Sequence, residues 1–346
     1  MVVILCVLVA MVAVGFILRG LSDFDISDRY VEQIAFDHHN DRLSGTLILP
    51  DITHRGPIAL LVHGDGPQDR FANDGYLPLI NAFLDQGIGI YTWDKPGIGS
   101  STGNWLDQSM PDRASEAATA LGTLTNAHPD YRGKIGFIGF SQAGWVVPKA
   151  SVLAPDTAFI VMIGGAVNWQ DQAAFYMRQR LMANGVSEVE IARQIRESRS
   201  RDHIVFAPDA NYETYLAKSG DPAPVSKDRF AFIKRNITAD ARTNLARLTI
   251  PTLALWGADD LNVDAVSDAA IYRDILNGKN GETKITIVAD ATHGLLKSDL
   301  FNYARPDDMP ISRQLLYLAM GRYAYAPDVI EQMTTWMQKV TSNPDR

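Results

Sequence analysis

The chain holds a single cysteine, Cys6. That excludes an intramolecular disulfide and leaves no cysteine cluster of the kind that binds zinc. Basic residues are in deficit, with 32 Lys and Arg against 40 Asp and Glu and a formal net charge of −8. Nucleic-acid binding draws on a basic face that displaces counterions, so this balance argues against it. Internal repeats and low-complexity tracts are also lacking. What remains is an ordinary globular composition, 46% hydrophobic and 21% charged over 346 residues. That suffices for one large domain or two small ones with a sizeable core.

One long hydrophobic run stands apart. Residues 1–18 are uninterrupted apolar sequence ended by Arg19. About 18 apolar residues is the lower edge of a bilayer-spanning helix. A signal peptide is the rival, with Ala13-Val14-Gly15 as a poor cleavage site and no basic stretch before the run. A buried core helix is the third reading. Residues 1–19 are thus expected to anchor the chain to a membrane or direct its export. The α-amino group and Arg19 flank the run, too little asymmetry to set its orientation.

Beyond it, short apolar strands alternate with helical stretches. Residues 29–36 and 45–49 read as an antiparallel pair around a turn at His38-His39-Asn40-Asp41, taken as solvated. Strands follow at 57–63, 87–93, 134–139, 158–163, 252–256 and 283–288. Helices fall at 76–86, 111–127, 142–151 and 263–276. Such alternation predicts an α/β fold with a mostly parallel, doubly covered sheet. About ninety residues between 163 and 252 lack an apolar strand, far above ordinary connection lengths. Within them 169–200 is helical by spacing, broken at Gly185.

Gly139-Phe140-Ser141-Gln142-Ala143-Gly144 places a serine between small residues where a buried strand turns into a helix. On such a turn the hydroxyl stands out of the sheet and the next backbone N–H faces the same space. An acyl-transfer serine also needs a base, a carboxylate to orient it and donors for the oxyanion. Asp260 follows the strand 252–256 in Gly257-Ala258-Asp259-Asp260. His293 follows the last strand in Asp290-Ala291-Thr292-His293-Gly294. Each candidate lies just past the carboxyl end of a strand, where open α/β sheets place their sites.

With those segments, and with Val62-His63-Gly64-Asp65-Gly66-Pro67 and Trp93-Asp94-Lys95-Pro96-Gly97, the chain from about residue 30 onward resembles the α/β-hydrolase superfamily, its serine esterase and aminopeptidase-like branch. It departs from similar hydrolases at Ala143, Asp65 and Pro96, which stand for glycine, serine and arginine. The resemblance implies an α/β-hydrolase core over 29–165 and 248–346, with a helical cap over 166–247. It implies catalytic Ser141, Asp260 and His293, with backbone N–H groups of Gln142 and Asp65 as the oxyanion hole. A carboxylate beside an oxyanion would repel it, so the Asp65 side chain is expected to point away. No cofactor or metal is required.

Each catalytic position has rivals in the sequence. Gly99-Ser100-Ser101-Thr102-Gly103 repeats the nucleophile spelling but has no strand before it and no apolar helix behind. Asp259, Asp264 and Asp290 compete with Asp260, which has the Gly-x-x-Asp spacing. His63 reads as structural, and Asp94 as ordering the loop after it. His128 and His203 show no partners in sequence. The implied reaction is hydrolysis of a small-molecule acyl ester. An aminopeptidase, a thioesterase or a catalytically inactive binding protein on the same scaffold are the alternatives.

Overall fold

The structure, a computed structural model, describes residue 11 and residues 14–342. Ten strands form: β1 Tyr30–Gln33, β2 Phe36–His38, β3 Asp41–Leu43, β4 Gly45–Leu49, β5 Ile58–Val62, β6 Gly89–Trp93, β7 Ile135–Phe140, β8 Ile160–Ile163, β9 Thr252–Gly257 and β10 Lys284–Val288. Eight make one sheet in the order β1-β4-β6-β5-β7-β8-β9-β10. The first two pairings are antiparallel and the rest parallel. This is the mostly parallel, doubly covered sheet that the strand–helix alternation predicts.

The central strands are buried throughout because both faces are covered, which is why they read as continuous apolar runs. Alternate residues serve opposite faces. Leu60, Phe137 and Met162 pack on one side with Ala114, Ala117, Ala120 and Leu124 of the helix Met110–Ala127. Ala59, Leu61, Ile138 and Val161 pack on the other with Phe83, Met333 and Trp336. The alanine stripe lets that first helix lie close to the sheet. Gly136 does the same within β7, where a Cβ would come 2.5 Å from the Phe159 ring.

Local details differ from the sequence reading. The first strand stops at Gln33, and residues 36–43 form a separate hairpin, β2 with β3, turning at His39 with φ 54°. His38 there is buried, not solvated, and burial lowers its pKa. The stretch after Ser141 is not one helix. A 3₁₀ turn, Ser141–Trp145, precedes an α-helix, Val147–Leu153. Pro148 lacks the N–H that would carry the hydrogen-bond ladder across the junction.

Between β8 and β9 the chain leaves the sheet as the helices Trp169–Ala183, Glu188–Val205, Tyr212–Lys218 and Lys227–Asn236, and a short helix, Arg242–Leu245, leads back to β9. Gly185, at φ 73°, makes the turn between the first two. The insertion has a small core of its own in Val205, Tyr215 and Phe230. Its ends meet in a narrow neck: Trp169 N donates to Ala239 O at 3.0 Å, and Ala241 N to Val167 O at 2.8 Å.

Most of the N-terminal run lies outside the described residues. Residues 14–22 are helical, and Phe16 packs its ring on Tyr323 at 5.7 Å. Among the described residues no helix is long and apolar enough to cross a membrane.

Candidate active site

Ser141 directly follows β7 with φ at 53°, a left-handed conformation that a residue with a side chain adopts only when its surroundings impose it. Those surroundings are small. A Cβ at Gly139 would meet Val147 Cγ2 at 2.8 Å, and one at Gly144 would meet Ala166 O at 2.7 Å. Ala143 is fully buried, and its methyl faces the bare Gly139, 3.0 Å from where a Cβ would sit there. That vacancy explains how this chain accommodates an alanine. Gly64 lies across from Ser141, with a Cβ position 4.0 Å from Ser141 Oγ.

Asp260 and His293 come from neighbouring strand ends. β9 and β10 pair in parallel, and Gly257 lets the loop after β10 press on the end of β9. A Cβ there would stand 2.2 Å from Ala291 O and Thr292 O. His293 Nδ1 lies 2.7 Å from Asp260 Oδ2, and the Asp260 side chain is 0% exposed. The other oxygen, Oδ1, accepts from Asn262 N at 2.7 Å and Val263 N at 2.9 Å. Every lone pair that matters is therefore engaged. Burial alone would lower the His293 pKa, but the Asp260 charge and hydrogen bond outweigh it and leave it raised. The imidazole also packs on Gly164, whose φ is +59° and whose Cβ would come 2.8 Å from His293 Cε1.

The Asp65 loop is held from below. Lys95 Nζ donates to Gly64 O at 2.5 Å and to Gly66 O at 2.8 Å. In a trans peptide the C=O and N–H point in opposite directions. Gly64 O is turned to Lys95, so the Asp65 N–H is turned away from it. The Asp65 carboxylate accepts from Arg229 Nη1 at 2.8 Å, and its second oxygen pairs with Arg229 Nη2. It also accepts from Gln142 Nε2 at 3.1 Å. Burial would raise its pKa, but Arg229 outweighs burial and lowers it. Arg113 donates to Gln142 Oε1 and, at 2.7 Å, to His63 O.

Ser101, Asp94, His63, Asp259 and Asp264 are occupied elsewhere. Ser101 is buried, and its Oγ donates to Asp94 O at 2.8 Å and accepts from Ser44 N at 2.9 Å. Asp94 accepts from Arg70 Nη2 at 2.6 Å and Ser100 N at 3.0 Å, so it does order the loop that follows it. His63 Nε2 donates to Trp93 O at 2.9 Å. Burial, with the nearby Lys95 charge, pushes its pKa down to about 3, so the ring is neutral. Asp259 accepts from Ser298 Oγ at 2.5 Å, and Asp264 caps the helix Ala265–Leu276.

Two residues beside the site, Arg113 and Arg229, escaped the sequence reading, and Lys95 was read there only as part of the loop after Asp94. Arg113 left a signal. It precedes Ala117 and Ala120 by four and seven residues, on the buried stripe of its helix. Arg229 left none, since the insertion folds back on Asp65 from 164 residues away.

The insertion touches three parts of the site. Besides Arg229 on Asp65, Trp169 stacks on Trp145 at 5.0 Å, and Gln172 Nε2 donates to Asn262 O at 3.0 Å. It lies over the strand ends that carry the candidate residues.

Sheet order and strand-end placement define the class, an α/β hydrolase. Within it the chain belongs to the family described as serine aminopeptidase, S33, whose model matches residues 60–299. A protein of Serratia proteamaculans named "Putative carbamate hydrolase RutD" is 26% identical over 245 residues, 68% of this chain and 85% of its own. The esterase Pf2001 of Pyrococcus furiosus superposes with a TM-score of 0.53 at 16% identity, over 78% of this chain and 85% of its own. DcsB, solved in complex with a substrate analogue, superposes with a TM-score of 0.57 at 16% identity, over 91% of this chain and all of its own. These structural likenesses concern the fold. The chain is a hydrolase of the α/β family.

Proposed function

We propose that the chain is a serine hydrolase of carboxylic esters acting through an acyl-enzyme. One observation carries this: a left-handed Ser141 at the end of β7 together with a His293 whose Nδ1 is held by a fully buried carboxylate. With Nδ1–H donated to Asp260, Nε2 is left as the proton acceptor. It takes the Ser141 proton as Oγ bonds to the substrate carbonyl carbon, whose oxygen becomes the oxyanion. Backbone N–H groups of Gln142 and Asp65 receive that charge. Collapse of the intermediate breaks the bond to the alcohol, which leaves with the proton from Nε2. Water then repeats the sequence on the acyl-enzyme, again with His293 as base.

The helical insertion is the cap of this site and sets which acyl groups enter. Its composition favours esters over peptides. A free α-amine calls for an unpaired carboxylate near the site. Four of the insertion's acids are instead matched to arginines: Glu188 to Arg178 at 2.7 Å, Glu197 to Arg193 at 2.5 Å, Asp171 to Arg199 at 2.9 Å, and Glu190 to Arg193. An ester also offers the better leaving group.

The test is a fluorophosphonate probe together with a panel of p-nitrophenyl esters, acyl-CoA thioesters and aminoacyl arylamides. Wild type should be labelled, and Ser141→Ala should not. Short esters should turn over at least about tenfold more efficiently than any arylamide, about 1.4 kcal/mol in the barrier. Labelling that survives Ser141→Ala would remove the nucleophile. Faster cleavage of an alanyl or prolyl arylamide would reverse the choice of substrate.

A further inference from the structure

We propose that Arg229 is a positioning residue that couples the seated cap to the oxyanion hole through the Asp65 carboxylate. The inference rests on the ester-hydrolase reading and adds a task for the cap beyond selecting the acyl group. Arg229 belongs to the helix Lys227–Asn236 of the insertion. That helix is fixed to the core near the site: Arg235 Nη1 donates to Leu106 O at 2.9 Å, and Asn236 Oδ1 accepts from Met110 N at 2.8 Å. The guanidinium lies 5.6 Å from the Trp105 ring centroid and 5.0 Å from that of Phe232, so its plane is set before it meets a carboxylate. It then grips Asp65 with both terminal nitrogens, a geometry lysine cannot copy.

Asp65 carries one proposed oxyanion donor and touches the other. Its Oδ1 receives Arg229 Nη1 and Gln142 Nε2 together, and Arg113 holds the far end of Gln142. Lys95 orients the Asp65 peptide from behind. Of these three supports, only Arg229 comes from the insertion. It does two things at once. It keeps the Asp65 loop in place, and it neutralises a carboxylate that would otherwise repel the oxyanion forming nearby. A cap lifted from the core would leave that carboxylate without its ion-pair partner. The hole is therefore competent only while the cap is seated.

Arg229→Gln keeps the side-chain stem and removes the charge. It should lower kcat on p-nitrophenyl acetate about 30-fold with little change in KM, a smaller effect than loss of a direct oxyanion donor. Asp65→Asn alone should cost less than about fivefold, since the amide oxygen still accepts. Adding Asp65→Asn to Arg229→Gln should restore most of the lost kcat, because the uncompensated charge is then gone. A thermal melt on each variant separates folding from function. If Arg229→Gln fails to fold, Arg229→Met, which also keeps the apolar stem and removes the charge, carries the same comparison with and without Asp65→Asn. Unchanged kcat, a rise in KM alone, or losses that simply multiply in the double variant would each overturn the proposal. Those outcomes presuppose an active, probe-labelled wild type. A wild type that neither labels nor turns over esters would sink the ester-hydrolase reading instead.

Discussion

Replacing Asp260 with asparagine keeps the volume and removes one charge, and the surroundings dictate how the amide must sit. The position now held by Oδ1 faces two backbone donors, Asn262 N at 2.7 Å and Val263 N at 2.9 Å. Only the amide oxygen can satisfy them, and the side chain is wholly buried, so a flipped amide would crowd two donors against its NH₂. The NH₂ is therefore forced toward His293 Nδ1, which must accept. That places the imidazole proton on Nε2, where Ser141 needs a base. The expected loss in kcat is about 10⁴-fold, or about 5.4 kcal/mol. The pH profile adds a second readout. Asp260 holds the His293 pKa up, so the acid limb of kcat/KM, where activity rises as the imidazole deprotonates, should move to lower pH in the variant. The same linkage bears on stability. A raised folded pKa gives stabilisation that is full below the unfolded histidine pKa and is lost as pH rises through the folded one. Stopped assays on p-nitrophenyl acetate across pH would measure the loss in kcat and the shifted acid limb, and melts across pH the stability. A loss under tenfold, or an equal loss in Asp259→Asn, would show that the orienting acid is another residue.

Three further outcomes follow from the packing. Ser101→Ala should leave kcat within about twofold yet cost about 1–3 kcal/mol in urea unfolding, because its buried hydroxyl joins Asp94 O to Ser44 N. Gly164→Ala should cut kcat at least about tenfold and stability by about 1–3 kcal/mol, since φ is +59° there and the new methyl meets the His293 ring; thermal melts and kinetics read both. Phe175→Ala and Leu181→Ala, half-buried in the insertion, should shift acyl chain-length preference more than they shift the melting temperature.

The sheet was legible because its central strands are short apolar runs with turn residues between them, a pattern that burial on both faces requires. The left-handed serine was legible for a related reason: Gly139 and Gly144 mark where backbone and side chains come too close for a Cβ. The break at Pro148 was written in the sequence but lost within an otherwise helical stretch. His38 looked like a turn residue because its neighbours are polar, while its burial depends on contacts outside its own hairpin. The ion pair between Asp65 and Arg229 joins positions 164 residues apart, and no local period announces such a contact. Asp65 was conspicuous as a departure from its relatives. Its compensating charge was not, because an arginine on a helix rich in Lys and Arg looks like ordinary solvated surface.

The neck of the insertion gives the fold a property that concerns its history more than its chemistry. Val167 and Ala241 are hydrogen-bonded neighbours at 2.8 Å, so the chain leaves the sheet and returns at the same place. Whatever is spliced between them places no strain on β8 or β9, and lengthening the excursion costs only a slowly growing closure entropy. The insertion also brings its own small apolar cluster of Val205, Tyr215 and Phe230. Such a segment can be shortened, exchanged or redesigned while the strand ends bearing Ser141, Asp260 and His293 stay where they are. Under the coupling proposed above, an exchange would also have to supply a cation able to reach Asp65. On the reading proposed above, exchanging the insertion is a route to new substrate ranges, with the Arg229–Asp65 pair among the contacts to keep.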